Sequence, residues 1–120
     1  MTMKKILVVD DDADILVLMQ LTLKMHDFQV EVISTWQQIN ETITNFNPDL
    51  IILDVSLNGA DGRDICRTIK ESPLTAHIPV ILFSANAELG KNFKESRAQA
   101  FIAKPYELSD LLKTIKRNLN

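Results

Sequence analysis

The stretch KILVVDDD, residues 5–12, indicates how this chain is organised. The part from Lys5 to Val9 has the length of a strand and is apolar after its first residue, which predicts a strand buried on both faces. Three aspartates follow it directly, and Asp12 is suited to cap a helix at that point. The face predicted to be buried in that helix carries Ile15, Leu18, Met19, Thr22 and Leu23.

The same alternation of strand and helix patterns continues along the whole chain. Further strands are predicted at 29–33, 50–53, 79–83 and 100–103. Helical spacing marks the segments between and after them: Trp36, Ile39, Ile43 and Phe46, then Ile65, Cys66 and Ile69, then a more polar helix from about Ala87, and finally Leu108, Leu111, Leu112, Ile115 and Leu119. Five such strand–helix units predict an α/β fold, in which a five-stranded parallel sheet is covered by helices on both faces.

Composition limits the class of protein. The 120 residues suit one domain, residues 1–120, and 46% of them are apolar, which is enough for a packed core. A net charge of −3 argues against direct nucleic-acid binding, and the single cysteine, Cys66, excludes an internal disulfide. The apolar run after Lys4 and Lys5 is too short for a signal peptide, and no stretch could span a membrane, so we expect a cytoplasmic protein. Because the chain ends with its fifth helix, we expect no output domain within it.

Polar residues recur immediately after the predicted strands. Asp10 and Asp11 follow the first strand, Asp54 the third, Ser84 the fourth and Lys104 the fifth. With a strand order of 2-1-3-4-5, the first and third strands are neighbours at the point where the order reverses, which is where open α/β sheets bind ligands. We therefore expect these side chains to converge at the carboxyl edge of the sheet.

The chemistry of such a cluster points to phosphoryl transfer. Crowded carboxylates repel one another unless a cation lies among them, and oxygen ligands with spare water positions favour Mg²⁺ beside a phosphate. A carboxylate can act as the nucleophile that forms an aspartyl phosphate, while a lysine and a serine hydroxyl stabilise the phosphoryl oxygens. A metal, a nucleophile and charge-stabilising donors are most of what the reaction requires.

With these motifs in place, the sequence resembles the receiver domains of bacterial two-component response regulators. The resemblance covers essentially the whole chain, and its motifs occur in the right order at the strand ends. They are residues 6–12, residues 50–54, Asp61-Gly62 at the usual offset, residues 83–85 and residues 101–105. The resemblance implies a (βα)5, flavodoxin-like receiver fold and a regulatory phosphoacceptor domain rather than an enzyme. One departure is Leu57-Asn58, where the family commonly has Met-Pro, which implies a more mobile loop after Asp54.

The resemblance also implies an acceptor and a metal site. Asp54 is the phosphoacceptor, and the cofactor is Mg²⁺. Asp11 ligates the ion directly, Asp10 holds either the ion or an ordered water, and Asp54 and the backbone carbonyl of Ser56 complete the protein ligands. The phosphodonor is a histidine kinase or a histidine phosphotransfer protein.

The remaining implied roles concern the phosphorylated state. Ser84 and Lys104 contact the phosphoryl group, Phe101 is the aromatic switch residue, and Lys104-Pro105 is a cis peptide. The surface formed by the fourth helix, the fifth strand and the fifth helix changes on phosphorylation and is read by a downstream effector protein.

Two other functions remain open from the residues alone. A module with this fold could bind partners without being phosphorylated. A haloacid-dehalogenase-like phosphatase would use Asp10 as nucleophile in the pattern Asp10-x-Asp12, but it needs a cap and further acidic motifs for which this chain has little room. The aspartates could also serve only as a helix start, and Phe101 could be an ordinary core residue. A Rossmann-type nucleotide binder is disfavoured, because no glycine-rich loop follows the first strand.

Overall fold

The computed structural model of the chain describes residues 2–119. Its sheet is formed by five parallel strands: β1 (Lys5–Val9), β2 (Gln29–Ile33), β3 (Leu50–Asp54), β4 (Val80–Ser84) and β5 (Ala100–Ala103). Their order is β2-β1-β3-β4-β5, so β1 and β3 are neighbours although β2 lies between them in sequence. The predicted α/β class and strand order are confirmed.

Within the described residues, the α-helices are α1 (Ala13–Met25), α2 (Ile39–Phe46), α3 (Gly62–Glu71) and α4 (Leu108–Asn118). One core cluster packs α1 and α4 against one face of the sheet, and a second packs α2 and α3 against the other face. The central strands β1, β3 and β4 are therefore almost entirely buried, as their apolar composition predicts. None of the helices in residues 2–119 combines the length and the apolar character needed to cross a membrane.

The segment between β4 and β5 differs from the prediction. Instead of one polar α-helix from about Ala87, it forms two short 3₁₀ helices, Ala87–Gly90 and Phe93–Ser96. Gly90 disfavours a continuous helix because it loses the most backbone entropy on ordering. The Ser96 hydroxyl donates a hydrogen bond to the Phe93 carbonyl, a local bond that competes with the helical pattern. The prediction of a helix in all five units is therefore wrong at this segment.

The buried face of α1 also differs from the predicted face. The residues that α1 buries are Leu16, Met19 and Leu23. Leu18, which was expected to be inside, is 57% exposed, and Leu108 at the start of α4 is 40% exposed. The sequence of α1 carries a second apolar stripe through Leu18, Leu21 and Met25. Helical spacing alone could not decide which of the two stripes faces the sheet.

Lys70, near the end of α3, is a charged residue in the interior. It is 5% exposed, and its Nζ donates hydrogen bonds to the carbonyl oxygens of Ala76 at 3.3 Å and Ile78 at 2.5 Å. Burial lowers the pKa of this ammonium, and the two carbonyls compensate part of the cost of desolvating it. These bonds hold the turn that leads into β4, and therefore the strand that carries Ser84.

Replacing Lys70 by Met keeps an unbranched side chain but leaves the two carbonyls without their donor. We expect Lys70→Met to lower the free energy of unfolding in urea by about 1–3 kcal/mol, the usual cost of an unsatisfied buried polar group. Lys113→Met, which removes an exposed lysine from α4, should change it by less than about 0.5 kcal/mol. Equal stabilities of the two variants would contradict the structural role given to Lys70.

Candidate functional site

The acidic residues that follow β1 and β3 lie side by side at the carboxyl edge of the sheet. The register pairs Val9 with Leu53, so Asp10 and Asp54 come next on adjacent strands. Asp10 has no exposed surface and Asp54 is 5% exposed, whereas Asp11 faces solvent. Each of these three carboxylates has an oxygen atom within 4.8 Å of an oxygen of the other two. The predicted convergence of the aspartates is therefore present in the folded chain.

The three consecutive aspartates have three different environments. One carboxylate oxygen of Asp10 accepts a hydrogen bond from the Asp12 N–H at 2.9 Å, which holds the chain in a turn. Asp12 caps α1 as predicted, because its Oδ1 accepts the N–H groups of Asp14 at 2.9 Å and Ile15 at 3.5 Å. Capping thus accounts for Asp12 and leaves Asp10 and Asp11 available to the site.

Lys104 brings a positive charge into this acidic pocket. Its Nζ lies 3.1 Å from Asp10 Oδ2 and 3.4 Å from Asp54 Oδ2. The same nitrogen is 4.3 Å from the centroid of the Phe83 ring, close enough for a cation–π interaction. The Lys104–Pro105 peptide bond is cis, as the resemblance implied. Phe83 was not among the predicted site residues, although its place one residue before Ser84 was a signal for it.

The pocket carries more negative than positive charge. Burial, followed by repulsion from Asp10, raises the pKa of Asp54 to about 6, although Lys104 and the Ser56 N–H act in the opposite direction. One ammonium therefore does not fully compensate the carboxylates. Oxygen ligands with an unbalanced negative charge are the donor set that hard divalent cations prefer.

The loop after Asp54 is held by backbone contacts. The Ser56 N–H donates to Asp54 Oδ1 at 3.2 Å, and residues 56–57 pair with residues 60–61 in a small antiparallel hairpin. Gly62 approaches so closely that a Cβ there would overlap the carbonyl oxygen of Asp54. At the position where the family commonly has proline, the Asn58 carbonyl accepts a hydrogen bond from the indole N–H of Trp36 at 3.2 Å. This contact restrains the loop that the missing proline was expected to loosen.

The contacts of Ser84 and Phe101 described below are with residues other than the three carboxylates. Ser84 is buried at the end of β4, one residue beyond Phe83, which is the register partner of Asp54. Its Oγ accepts a hydrogen bond from the Asn86 N–H at 3.1 Å. Phe101 is half-buried on β5, and its ring centroid lies 6.5 Å from that of Phe93. The structure thus brings together Asp10, Asp11, Asp54 and Lys104, with Ser84 on the adjoining strand and Phe101 outside the pocket.

The chain matches the family model of the response regulator receiver domain over residues 6–116. It is 33% identical over 115 residues to the phosphate regulon transcriptional regulatory protein PhoB of Pseudomonas aeruginosa, in an alignment that covers 94% of this chain and 50% of that protein. It is 30% identical over 121 residues to the DNA-binding response regulator MtrA of Mycobacterium tuberculosis, covering 97% of this chain and 50% of that protein. The chain thus spans about half the length of these curated relatives.

Solved structures of receiver domains superpose on nearly the whole chain. The BeF3-activated N-terminal receiver domain of RstA from Klebsiella pneumoniae has a TM-score of 0.88 at 28% identity, with 98% of this chain and 99% of that chain covered. A CheY-like response regulator receiver domain protein from Methanospirillum hungatei has a TM-score of 0.87 at 29% identity, covering 97% and 93%. The overall fold of this chain therefore recurs in solved structures of receiver domains.

The raised pKa of Asp54 predicts how stability depends on pH when no metal is present. An acid whose pKa rises from 3.8 unfolded to about 6 folded stabilises the fold fully below pH 3.8, and this contribution is lost as the pH rises through 6. The loss amounts to about 3 kcal/mol at full shift. We expect Asp54→Asn to be more stable than the parent at pH 8 in chelator, and the difference to vanish near pH 4.

Urea denaturation across this pH range measures the effect. Asp64→Asn is the matched control, because this exposed aspartate pairs with Arg67 at the surface of α3. The difference in free energy of unfolding between Asp64→Asn and the parent should not change with pH as the difference for Asp54→Asn does. Parallel pH profiles for the parent and Asp54→Asn would mean that the carboxylate is not destabilised by its surroundings.

Proposed function

The chain belongs to the response regulator receiver domain family, and from that premise we propose that Asp54 accepts a phosphoryl group in a pocket that binds Mg²⁺. One observation carries the proposal. Oxygen atoms of Asp10, Asp11 and Asp54 lie within 4.8 Å of one another, and the Lys104 ammonium contacts two of these carboxylates. The arrangement supplies an anionic nucleophile, a place for a cation and a fixed positive charge.

The donor set of the pocket fits a magnesium ion. Its side-chain ligand atoms are all carboxylate oxygens, and the exposure of Asp11 leaves room for water ligands. The proposed protein ligands are Asp10, Asp11, Asp54 and the backbone carbonyl of Ser56. When bound there, Mg²⁺ supplies positive charge that offsets the carboxylates and the phosphoryl oxygens.

Asp54 is the nucleophile of the proposed reaction. A carboxylate oxygen attacks the phosphorus of a phosphohistidine, the new O–P bond forms as the N–P bond breaks, and the imidazole leaves with the electron pair. The Ser56 N–H on Oδ1 and the Lys104 Nζ near Oδ2 orient the carboxylate before a donor arrives. Such orientation lowers the entropic part of the barrier.

Lys104 and Ser84 are the proposed contacts of the phosphoryl group. The Lys104 Nζ is already 3.4 Å from Asp54 Oδ2, so it can pair with a phosphoryl oxygen after little movement. The Ser84 hydroxyl accepts the Asn86 N–H and retains its own hydrogen for donation. Because Asn86 caps the 3₁₀ helix Ala87–Gly90, a movement of Ser84 towards the phosphoryl group would pull on that helix.

Phe101 connects the 3₁₀ helix Ala87–Gly90 to the molecular surface. Its ring lies so close to Gly90 that a Cβ there would be 2.5 Å from Cδ1. A shift of the 3₁₀ helices therefore changes the space available to the ring, which is the proposed switch. The output is a changed surface formed by residues 87–96, β5 and α4, and a downstream effector protein reads it.

The proposed partners are proteins on both sides of the reaction. The phosphodonor is a histidine kinase or a histidine phosphotransfer protein, and the effector binds after phosphorylation. Transcriptional regulation and DNA binding belong to the names of PhoB and MtrA, of which this chain spans about half. The proposal for this chain is limited to phosphotransfer and its protein partners.

Phosphorylation by a small donor tests the proposal directly. Incubation with Mg²⁺ and acetyl phosphate should add one phosphoryl group, which intact mass spectrometry detects. The gain should disappear in Asp54→Ala and in excess chelator, because the nucleophile or the compensating charge is then absent.

The control is Asp64→Asn, which alters an exposed aspartate away from the pocket and should be labelled like the parent. Labelling that persists in Asp54→Ala would point to another acceptor, such as Asp10 in the phosphatase alternative. If neither the parent nor the control is labelled while a known receiver domain is, the phosphorylation-independent interaction module becomes the better reading.

The proposed switch also predicts which amide resonances move in the phosphorylated protein. Amide resonances of Ser84, of residues 87–96 and of Phe101 should move on phosphorylation, because the contacts described above link them to Asp54. Residues 29–33 of β2, at the far edge of the sheet, should move much less. Identical spectra of the free and phosphorylated forms around Ser84 and Phe101 would rule out this route of coupling.

A further inference from the structure

One edge of the sheet is open along β2. This strand has a single neighbour, β1. The N–H of Gln29 and the carbonyl of Ile33 both form hydrogen bonds to residues that flank β1. Backbone groups of successive residues in a strand point to opposite sides, so the N–H and C=O groups of Val30 and Val32 are directed away from the sheet.

Residues 2–119 leave this edge without a cover. No hydrogen bond from a turn, a loop or a side chain in that range reaches the backbone groups of Val30 or Val32. Natural proteins commonly protect an edge strand with proline, charged side chains such as lysine, a bulge or a very short strand. The β2 sequence QVEVI is five residues long, contains neither proline nor lysine, carries Glu31 as its one charge, and pairs with β1 in an unbroken register. A further strand could therefore continue the sheet at this edge.

A groove of about 500 Å³ follows the same edge, between β2 and α2. Its walls include Glu31 and Ser34 on the side of the strand and Gln38, Thr42 and Phe46 on the side of the helix. Side chains alternate between the two faces of a sheet, so every second residue of an added strand would point towards this groove, on the same face as Glu31. An open edge beside a groove is the arrangement with which several domains capture an extended peptide.

The charge of the groove selects the kind of partner. Glu31 and Glu41 line it, both are exposed, and no lysine or arginine is among the lining residues. Neither glutamate belongs to an ion pair within residues 2–119. A lysine or arginine opposite Glu31 would form a favourable cross-strand pair, and an acidic residue there would be repelled. Antiparallel pairing with a second copy of β2, centred on the strand, would set Glu31 against Glu31.

We propose that β2 and this groove form a docking surface for an extended, basic segment of a partner protein. The segment adds to the sheet as a sixth strand beside β2, with backbone hydrogen bonds to Val30 and Val32. Its lysine or arginine side chains lie over the groove against Glu31 and Glu41. This surface is at the opposite edge from β5, so it does not depend on the phosphoacceptor role proposed above.

A synthetic peptide tests the proposal on the unphosphorylated protein. The probe is acetyl-TKVKVKT-amide, titrated into ¹⁵N-labelled protein, with its lysines spaced to lie on one face of a strand. We expect saturable shifts of amide resonances in β2 and α2, together with slower hydrogen exchange of the Val30 and Val32 amides. A peptide with the same side chains but N-methylated on alternate amides should not bind, because it cannot continue the sheet.

Two charge reversals distinguish the groove from the general acidity of the chain. Glu31→Lys should weaken binding by more than about tenfold, or about 1.4 kcal/mol. Glu71→Lys makes the same change in net charge at an exposed position at the end of α3, and it should alter binding by less than about twofold.

Four results would overturn the proposal. Absence of saturable shifts would mean that the edge does not accept such a strand. Equal binding of the N-methylated peptide, or equal weakening by Glu31→Lys and Glu71→Lys, would reduce the interaction to non-specific charge attraction. Concentration-dependent protection of Val30 and Val32 in the protein alone would identify a second copy as the occupant.

Discussion

The side-by-side burial of Asp10 and Asp54 is the constraint on which the rest of this structure depends. Two carboxylates at the ends of adjacent buried strands repel each other, and burial adds to the cost of ionising Asp54. Lys104 contacts both of them, but a single ammonium leaves the pocket with surplus negative charge, and the pKa of Asp54 stays raised to about 6. An added cation would offset this surplus of negative charge.

Buried strands hold Asp10 and Asp54 in fixed positions. The strands β1, β3 and β4 are buried on both faces, so the positions of Asp10 and Asp54 are set by close packing rather than by a flexible loop. Gly62 allows the start of α3 to lie against the Asp54 carbonyl, where any Cβ would collide. Lys70 holds the turn before β4 from the inside. These contacts hold the unfavourable charge arrangement in one geometry.

The segment between β4 and β5 has the opposite character. Its two 3₁₀ helices bury few side chains, and such regions open at lower free energy than a packed core. It joins Ser84, at the edge of the pocket, to Phe101 through Asn86 and Gly90. A change of charge at Asp54 would therefore act on an easily displaced segment between β4 and β5. The edge strand β2 lies on the other side of the site, beyond β1.

Apolar runs and the charges that end them are local patterns, so the amino-acid sequence was enough to predict the strands and the residues Asp10, Asp11, Asp54 and Lys104. The strand order followed from the resemblance of the motifs to the family. The sequence did not determine which stripe of α1 is buried, nor that residues 87–96 form 3₁₀ helices, because both depend on packing partners distant in sequence. Only the tertiary structure placed Lys104 against both carboxylates and over the Phe83 ring. Those distances, and the charge balance that raises the pKa of Asp54, exist only when four strands meet at one edge of the sheet.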